Sequence, residues 1–212
     1  MMRTINGRDF SLRELYPDRV FLPTTIEDEA HERMTTSLNV VRRIIEKEEA
    51  IYGVTTGFGD LCDITIPAEQ LRELQVNLVR SHACAIGEPL APEITAAMML
   101  ARANALAVGA SGIRPDVAIH ILAMLQHRII PVVPRIGSLG ASGDLAPLAH
   151  AAMGMIGEGE VDVWQENEWK RIPADVALAE AGIEPLVLGP KEGLSLLNGT
   201  SLQIAYSAHI IQ

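Results

Sequence analysis

Apolar positions recur at helical spacing through most of the chain. Met34, Leu38, Val41 and Ile45 follow one another at intervals of four, three and four, while Arg42, Arg43, Glu46 and Lys47 supply a polar face. Thr24 or Thr25, followed by Glu27, Asp28 and Glu29, suits the start of that helix, because carboxylates offset the positive helix end. The pattern carries it to about Ala50. Pro67 suits a first helical turn, and Leu71, Leu74 and Leu78 continue towards Ser81-His82 before Gly87-Glu88-Pro89 interrupts, so this helix ends on a histidine. Ala91 to Val108 is rich in Ala, Leu and Met, residues of high helix preference, and Pro115 to Arg128 reads as the next helix. Further helices are expected over Ala174–Ala181 and Glu192–Gln212. Alternation appears in Val161-Asp162-Val163-Trp164 and Trp169-Lys170-Arg171-Ile172, which predict a hairpin within 160–173, the one hairpin the pattern suggests. A short strand is expected somewhere in 1–23. The fold class is mainly α, with glycine-rich loops between the helices and residues 1–212 forming a single unit.

Composition narrows the function. The chain has 212 residues and a formal charge of -10 without a Lys/Arg block, which argues against nucleic acid or an anionic membrane surface as partner. The longest apolar stretch, Pro89 to Gly112, holds Glu93, Arg102 and Asn104, which hydrocarbon would penalise, so it reads as a buried helix rather than a membrane span. Cys62 and Cys84 stand far apart and no signal-peptide apolar core follows Met1, which fits a reduced, cytoplasmic protein. None of the six histidines sits in H-E-x-x-H or a zinc-type Cys/His spacing, so no metal site is expected.

The chemistry is sought in the loops. Arg135-Ile136-Gly137-Ser138-Leu139-Gly140-Ala141-Ser142-Gly143-Asp144 lies between Pro134 and Pro147. No Lys-Ser or Lys-Thr follows its glycines, their spacing does not match G-x-G-x-x-G, and no Gly stands two residues after Ser142, so phosphate-loop and hydrolase-elbow readings fail. Ala141-Ser142-Gly143 does allow an internal cyclisation, because an unhindered glycine nitrogen can approach the Ala141 carbonyl in a compressed turn. Loss of one water closes a five-membered ring, and loss of the Ser142 hydroxyl as a second leaves a conjugated methylidene, a carbon electrophile that no ordinary side chain supplies.

Gly137 to His150, Gly-Ser-Leu-Gly-Ala-Ser-Gly-Asp-Leu-Ala-Pro-Leu-Ala-His, resembles the signature of the aromatic amino-acid ammonia-lyases. The resemblance covers most of the chain. It implies the N-terminal part of the helical, fumarase/aspartase-like ammonia-lyase fold, and a methylidene-imidazolone formed autocatalytically from Ala141-Ser142-Gly143 with no external cofactor. Ala110-Ser111-Gly112 repeats the tripeptide without the surrounding signature, and no cyclisation is implied there. Tyr52-Gly53-Val54-Thr55-Thr56-Gly57-Phe58-Gly59 resembles the family's active-site loop, whose tyrosine is the catalytic base, with Gly59 in support. Taken alone, Tyr52 is equally a half-buried packing residue, and a phenol works as a base only if its proton is relayed or its pKa lowered.

His82, which by itself reads as a satisfied core histidine, falls in a Ser-His pair resembling the histidine-selective members and favours an imidazole substrate; a phenol substrate remains open. Leu196-Leu197-Asn198-Gly199-Thr200 is a common turn sequence that here resembles the family's substrate-binding Asn-Gly-Thr, with Ser201 where histidine lyases commonly carry Gln. Asp144 either assists ring formation or caps the helix from Leu145, and both roles fit one carboxylate. The implied reaction releases ammonia from L-histidine to give trans-urocanate, the amine adding to the methylidene carbon while Tyr52 takes the β proton. Attack by the substrate ring is the rival route, and tyrosine ammonia-lyase or aminomutase activity the alternative. The family assembles as homotetramers with shared active sites and has chains more than twice this length, so a noncatalytic structural or assembly fragment is the competing reading.

Overall fold

The computed structural model describes residues 2–47, 49–57, 66–67, 70–139 and 143–211. In chain order the elements are β1 (Arg3–Ile5), β2 (Thr24–Ile26), α1 (Asp28–Glu46), α2 (Leu71–His82), β3 (Ile86–Pro89), α3 (Pro92–Leu106), α4 (Pro115–Gln126), β4 (Ile129–Pro131), β5 (Pro134–Ile136), α5 (Leu145–Met155), β6 (Glu160–Gln165), β7 (Glu168–Pro173), α6 (Ala174–Glu180), α7 (Glu192–Leu197) and α8 (Ser201–Ile211), with one 3-10 turn at Leu12–Leu15. The fold is mainly α.

α3 is the axis of the molecule. Pro92 opens it, where a missing N–H costs nothing, and every residue from Thr95 to Ala103 is buried. A helix apolar on all sides must be surrounded, and α4 and α8 pack against it over small Ala side chains that allow close approach. Arg102 is the one charged residue in that buried run. α1 is amphipathic in the ordinary way: Ala30, Met34 and Val41 are buried, whereas Leu38 and Ile45 are only half-buried. Buried side chains from Ile5 to Ala208 join in a continuous apolar cluster.

The hairpin forms with strands one residue longer at each end than the alternation marked. Glu166 and Asn167 both take positive φ, 53° and 68°, the two-residue turn whose twist matches that of antiparallel strands. Asp162 faces Arg171 across the ladder and accepts two of its N–H bonds at 3.0 and 3.2 Å. Arg128 lies over Phe21 and Trp164, 5.0 and 5.6 Å from the ring centroids.

Several boundaries differ from the sequence reading. β4 adds to the hairpin as a third strand, β1 pairs with β2 in parallel, and β3 pairs with β5. These strands are three or four residues long and three of them contain proline, too short and too interrupted for alternation to mark them. Thr24 and Thr25 belong to β2, so Glu27 occupies the N-cap of α1, and that helix ends at Glu46 rather than near Ala50. The terminal helix is broken into α7 and α8 at Asn198, which is extended at φ -86° and ψ 99°. No helix among the described residues is long and apolar enough to cross a membrane.

Candidate active site

The glycine loop runs from the end of β5 to the start of α5, and its described parts are clamped at both ends. A Cβ on Gly137 would lie 2.6 Å from the Ala85 methyl, so only glycine lets the loop leave β5 against the segment that follows α2. Gly143, at φ +89°, forms a parallel bridge with Gly199, and the Asp144 N–H donates to the Gly199 carbonyl at 2.8 Å. A Cβ on Gly143 would stand 2.4 Å from that carbonyl oxygen. Ala141 and Ser142 lie outside the described residues, as do Gly59 and Cys62.

Asp144 is fully buried and stands at the N-cap position of α5, but its carboxylate does not cap that helix. Oδ2 instead accepts from the backbone N–H groups of Leu202 and Gln203 at 2.7 and 3.2 Å, and Oδ1 accepts from the Ser138 hydroxyl at 2.6 Å. The carboxylate therefore caps α8, where unpaired donors and the helix dipole favour negative charge. This corrects the expectation of a local cap. One side chain now ties together the glycine loop, the start of α5 and the segment that follows Asn198.

Asn198 is exposed between α7 and α8, its N–H donating to the Leu194 carbonyl at 3.0 Å. Behind Gly199 sits a residue that sequence reasoning missed. Arg102, 8% exposed, donates from Nη2 to the Ser195 carbonyl, and a Cβ on Gly199 would come within 2.4 Å of its Nη1. No carboxylate pairs with it among the described residues, and burial lowers its pKa to about 10. The signal in the sequence was a lone charge in the middle of an apolar helix, used there only to exclude a membrane span. Lys191 lies nearby, its pKa lowered by burial and by the charge of Arg102, with its ammonium on the Ser111 carbonyl at 2.5 Å.

His82 is the last residue of α2 and half-buried. Its Nδ1 lies 2.9 Å from the Leu78 carbonyl. The Ser81 hydroxyl lies 3.1 Å from the same nitrogen; in the tautomer that carries its proton on Nδ1 the Leu78 carbonyl accepts it and Nε2 is left as acceptor. The pairing of Ile86 with Ile136, and the packing of Ala85 on Gly137, bring the end of α2 alongside the glycine loop. Cys84, between them, is a free and exposed thiol.

Tyr52 stands on a different segment and is 56% exposed. Its turn is organised by Thr55, buried, whose hydroxyl donates to the Glu49 carbonyl and accepts from the Ile51 N–H at 2.9 Å, with the Ile66 N–H on the Thr55 carbonyl at 2.8 Å. The structure thus groups Gly143, Asp144, Asn198 and the end of α2, and gives Tyr52 an ordered turn of its own. A hollow of about 300 Å³ lined by Leu38, Val41, Arg42, Arg72, Arg114 and Glu192 contains none of these residues. Among the described residues no group of three His, Cys, Asp or Glu side chains could hold a metal.

A family model described as aromatic amino acid lyase matches residues 19–212. Histidine ammonia-lyase of Alkaliphilus metalliredigens is 45% identical over 209 residues, 98% of this chain and 40% of its own length. That of Geobacillus kaustophilus is 54% identical over 164 residues, 77% of this chain and 32% of its own. The crystal structure of histidine ammonia-lyase from Trypanosoma cruzi matches with a TM-score of 0.89 at 37% identity, covering 100% of this chain and 40% of that one. Tyrosine aminomutase from Streptomyces globisporus matches with a TM-score of 0.88 at 34% identity, covering 100% and 39%. The chain spans about 40% of the length of the first of these curated relatives.

Proposed function

The chain belongs to the aromatic amino acid lyase family, and on that footing we propose that it is the N-terminal, electrophile-bearing portion of an enzyme that eliminates ammonia from L-histidine to give trans-urocanate. The observation that carries this reading is the clamp on Gly143. Only glycine fits at φ +89° with the Gly199 oxygen 2.4 Å from where a Cβ would be, and an unhindered glycine nitrogen is what cyclisation onto the Ala141 carbonyl needs. Ala141-Ser142-Gly143 then forms a methylidene-imidazolone without an external cofactor. Once formed, that group supplies an electrophile that activates the poor amine leaving group.

The remaining tasks fall to side chains of this chain. The β C–H of the substrate is weakly acidic, so a base must meet it, and the Tyr52 oxygen takes that proton from its Thr55-ordered turn. His82 offers Nε2 as an acceptor to the substrate imidazole N–H, its orientation held by the Leu78 carbonyl. Asn198 presents amide donors and an acceptor to the amino-acid end. Relatives named histidine ammonia-lyase support the choice of histidine. An acceptor Nε2 also receives a phenol hydroxyl, and the likeness to tyrosine aminomutase keeps tyrosine as the second substrate to test. Ile86, Ile136 and Leu139 leave an apolar strip exposed beside the loop, as suits a homotetramer whose subunits share active sites. A cytoplasmic location suits such an enzyme, and its substrate is a small amino acid rather than nucleic acid or membrane.

The intact mass of the purified chain, with peptide mapping of 137–150, is the direct test. A deficit of two waters confined to 141–143 is expected, and Ser142→Ala abolishes it together with ammonia release by the full-length enzyme. Tyr52→Phe keeps the deficit and loses most of the turnover, with histidine compared against tyrosine and phenylalanine. Ammonia release that survives Ser142→Ala would refute the reading.

A further inference from the structure

We propose that Arg102 is a positioning residue for formation of the electrophile: its buried guanidinium backs the Gly199 peptide that clamps Gly143, and so fixes where the cyclising nitrogen lies. This rests on the reading that 141–143 cyclises.

A guanidinium taken out of water without a carboxylate partner is costly, yet Arg102 is buried in the centre of α3. The groups it meets are backbone. Nη2 holds the Ser195 carbonyl in the last turn of α7, and Nη1 fills the volume that any side chain at 199 would occupy. On the far side of the same peptide, the Gly199 carbonyl takes the Asp144 N–H and lies against Gly143. The order of contact is Arg102, Gly199, Gly143. Nε has no hydrogen-bond partner among the described residues, so the guanidinium is held by the Ser195 carbonyl on one nitrogen and packs its other terminal nitrogen against Gly199.

Ring formation depends on that placement. The Gly143 nitrogen bonds to the Ala141 carbonyl carbon, and the carbonyl oxygen leaves as water with the Gly143 and Ser142 amide protons. The Ser142 hydroxyl then leaves as a second water with the Cα proton. No oxidant or reductant enters. Nothing but backbone geometry brings the weakly nucleophilic amide within about 3–3.5 Å of its target, and a displacement of about 1 Å costs on the order of a hundredfold in rate. A neutral side chain at 102 loses the bond to the Ser195 carbonyl, and a lysine, a single compact charge without the planar fork, cannot both bond that carbonyl and fill the space beside Gly199.

The test is the two-water deficit at 141–143 in Arg102→Met, compared with the parent and with Met124→Ala, a truncation of a fully buried core residue on α4 that lowers thermal stability without touching the fork. The expected result is a modified fraction reduced about tenfold or more in Arg102→Met, with Met124→Ala still modified at the parental level. A parental level of modification in Arg102→Met, or an equal loss in Met124→Ala, overturns the proposal. If Arg102→Met does not fold, Arg102→Lys replaces it: modification slowed several-fold at parental thermal stability supports the proposal, and a parental rate overturns it. A parent chain without the deficit would instead refute the electrophile reading, which distinguishes the two failures.

Discussion

His120 on α4 is 8% exposed, and burial lowers its pKa to about 4 although the Met155 carbonyl receives a ring N–H. In the unfolded chain the ring titrates near 6.5. Below that pH the unfolded state takes up a proton that the folded state refuses. Stability is therefore complete above about pH 6.5 and is lost as pH falls towards 4, by up to about 3 kcal/mol. Denaturant unfolding at pH 7 and pH 4.5 should show a larger loss in the parent than in His120→Gln, which keeps a donor but does not titrate. Single residues divide sharply in how far they were legible in the sequence. Ala141-Ser142-Gly143 stood out through its surroundings, and Gly143 needs the freedom its residue type advertises. Arg102 gave only a local anomaly, because its role depends on Gly199, remote in sequence, and no spacing rule connects the two.

Asp144 shows the same limit at the level of elements. Its position before Leu145 pointed to a cap on α5, whereas the carboxylate serves α8, whose start is brought beside it by the Gly143–Gly199 bridge. Asp144→Ala strips three partners at a buried site and should cost about 2–4 kcal/mol in denaturant unfolding. Asp144→Asn, which retains one acceptor oxygen, should cost less. A loss no larger than that of an exposed cap would refute the assignment. The helices were read well where apolar spacing was long, as in α1, or where residues of high helix preference ran on, as in α3. The break at Asn198 was signalled by its Asn-Gly-Thr turn sequence, yet the helical reading ran straight through it from Glu192 to Gln212, and what fixes the break is the pairing of the next residue, Gly199, with Gly143. The short strands escaped for a related reason: β3 and β5 exist because their pairing sets α2 beside the glycine loop, not because either alternates strongly.

Across the molecule, α7 is held to the beginning of α4 by a nearly inaccessible carboxylate. Glu192 accepts from the Arg114 Nε and Nη2 at 2.8 and 2.7 Å and from the Gly189 N–H at 2.6 Å, and its partner's pKa is raised by that hydrogen bonding. Arg114 is partly open to water, so its charge can rehydrate when the pair is broken. Glu192→Ala should then cost about 2–3 kcal/mol, mainly from unpaired donors, visible as a lower thermal midpoint with the 141–143 region still modified. The second Ala-Ser-Gly is part of the same fastening: the Ser111 carbonyl holds Lys191, and Gly112 at φ +69° lies where a Cβ would meet Val41. Identical tripeptides thus serve packing in one place and, on the proposed reading, chemistry in the other.

The bridge from Gly143 to Gly199 also orders events in time. A ribosome delivers Gly143 well before it delivers Gly199 and the first turn of α8, so a nascent chain carries its Ala-Ser-Gly unclamped until the later segment has emerged and docked. On the proposed reading, dehydration then follows tertiary assembly rather than accompanying synthesis. If 141–143 cyclises as proposed, the reactive carbon is withheld from chains that stall or misfold, and its appearance becomes a chemical timestamp that a given molecule has finished folding this far.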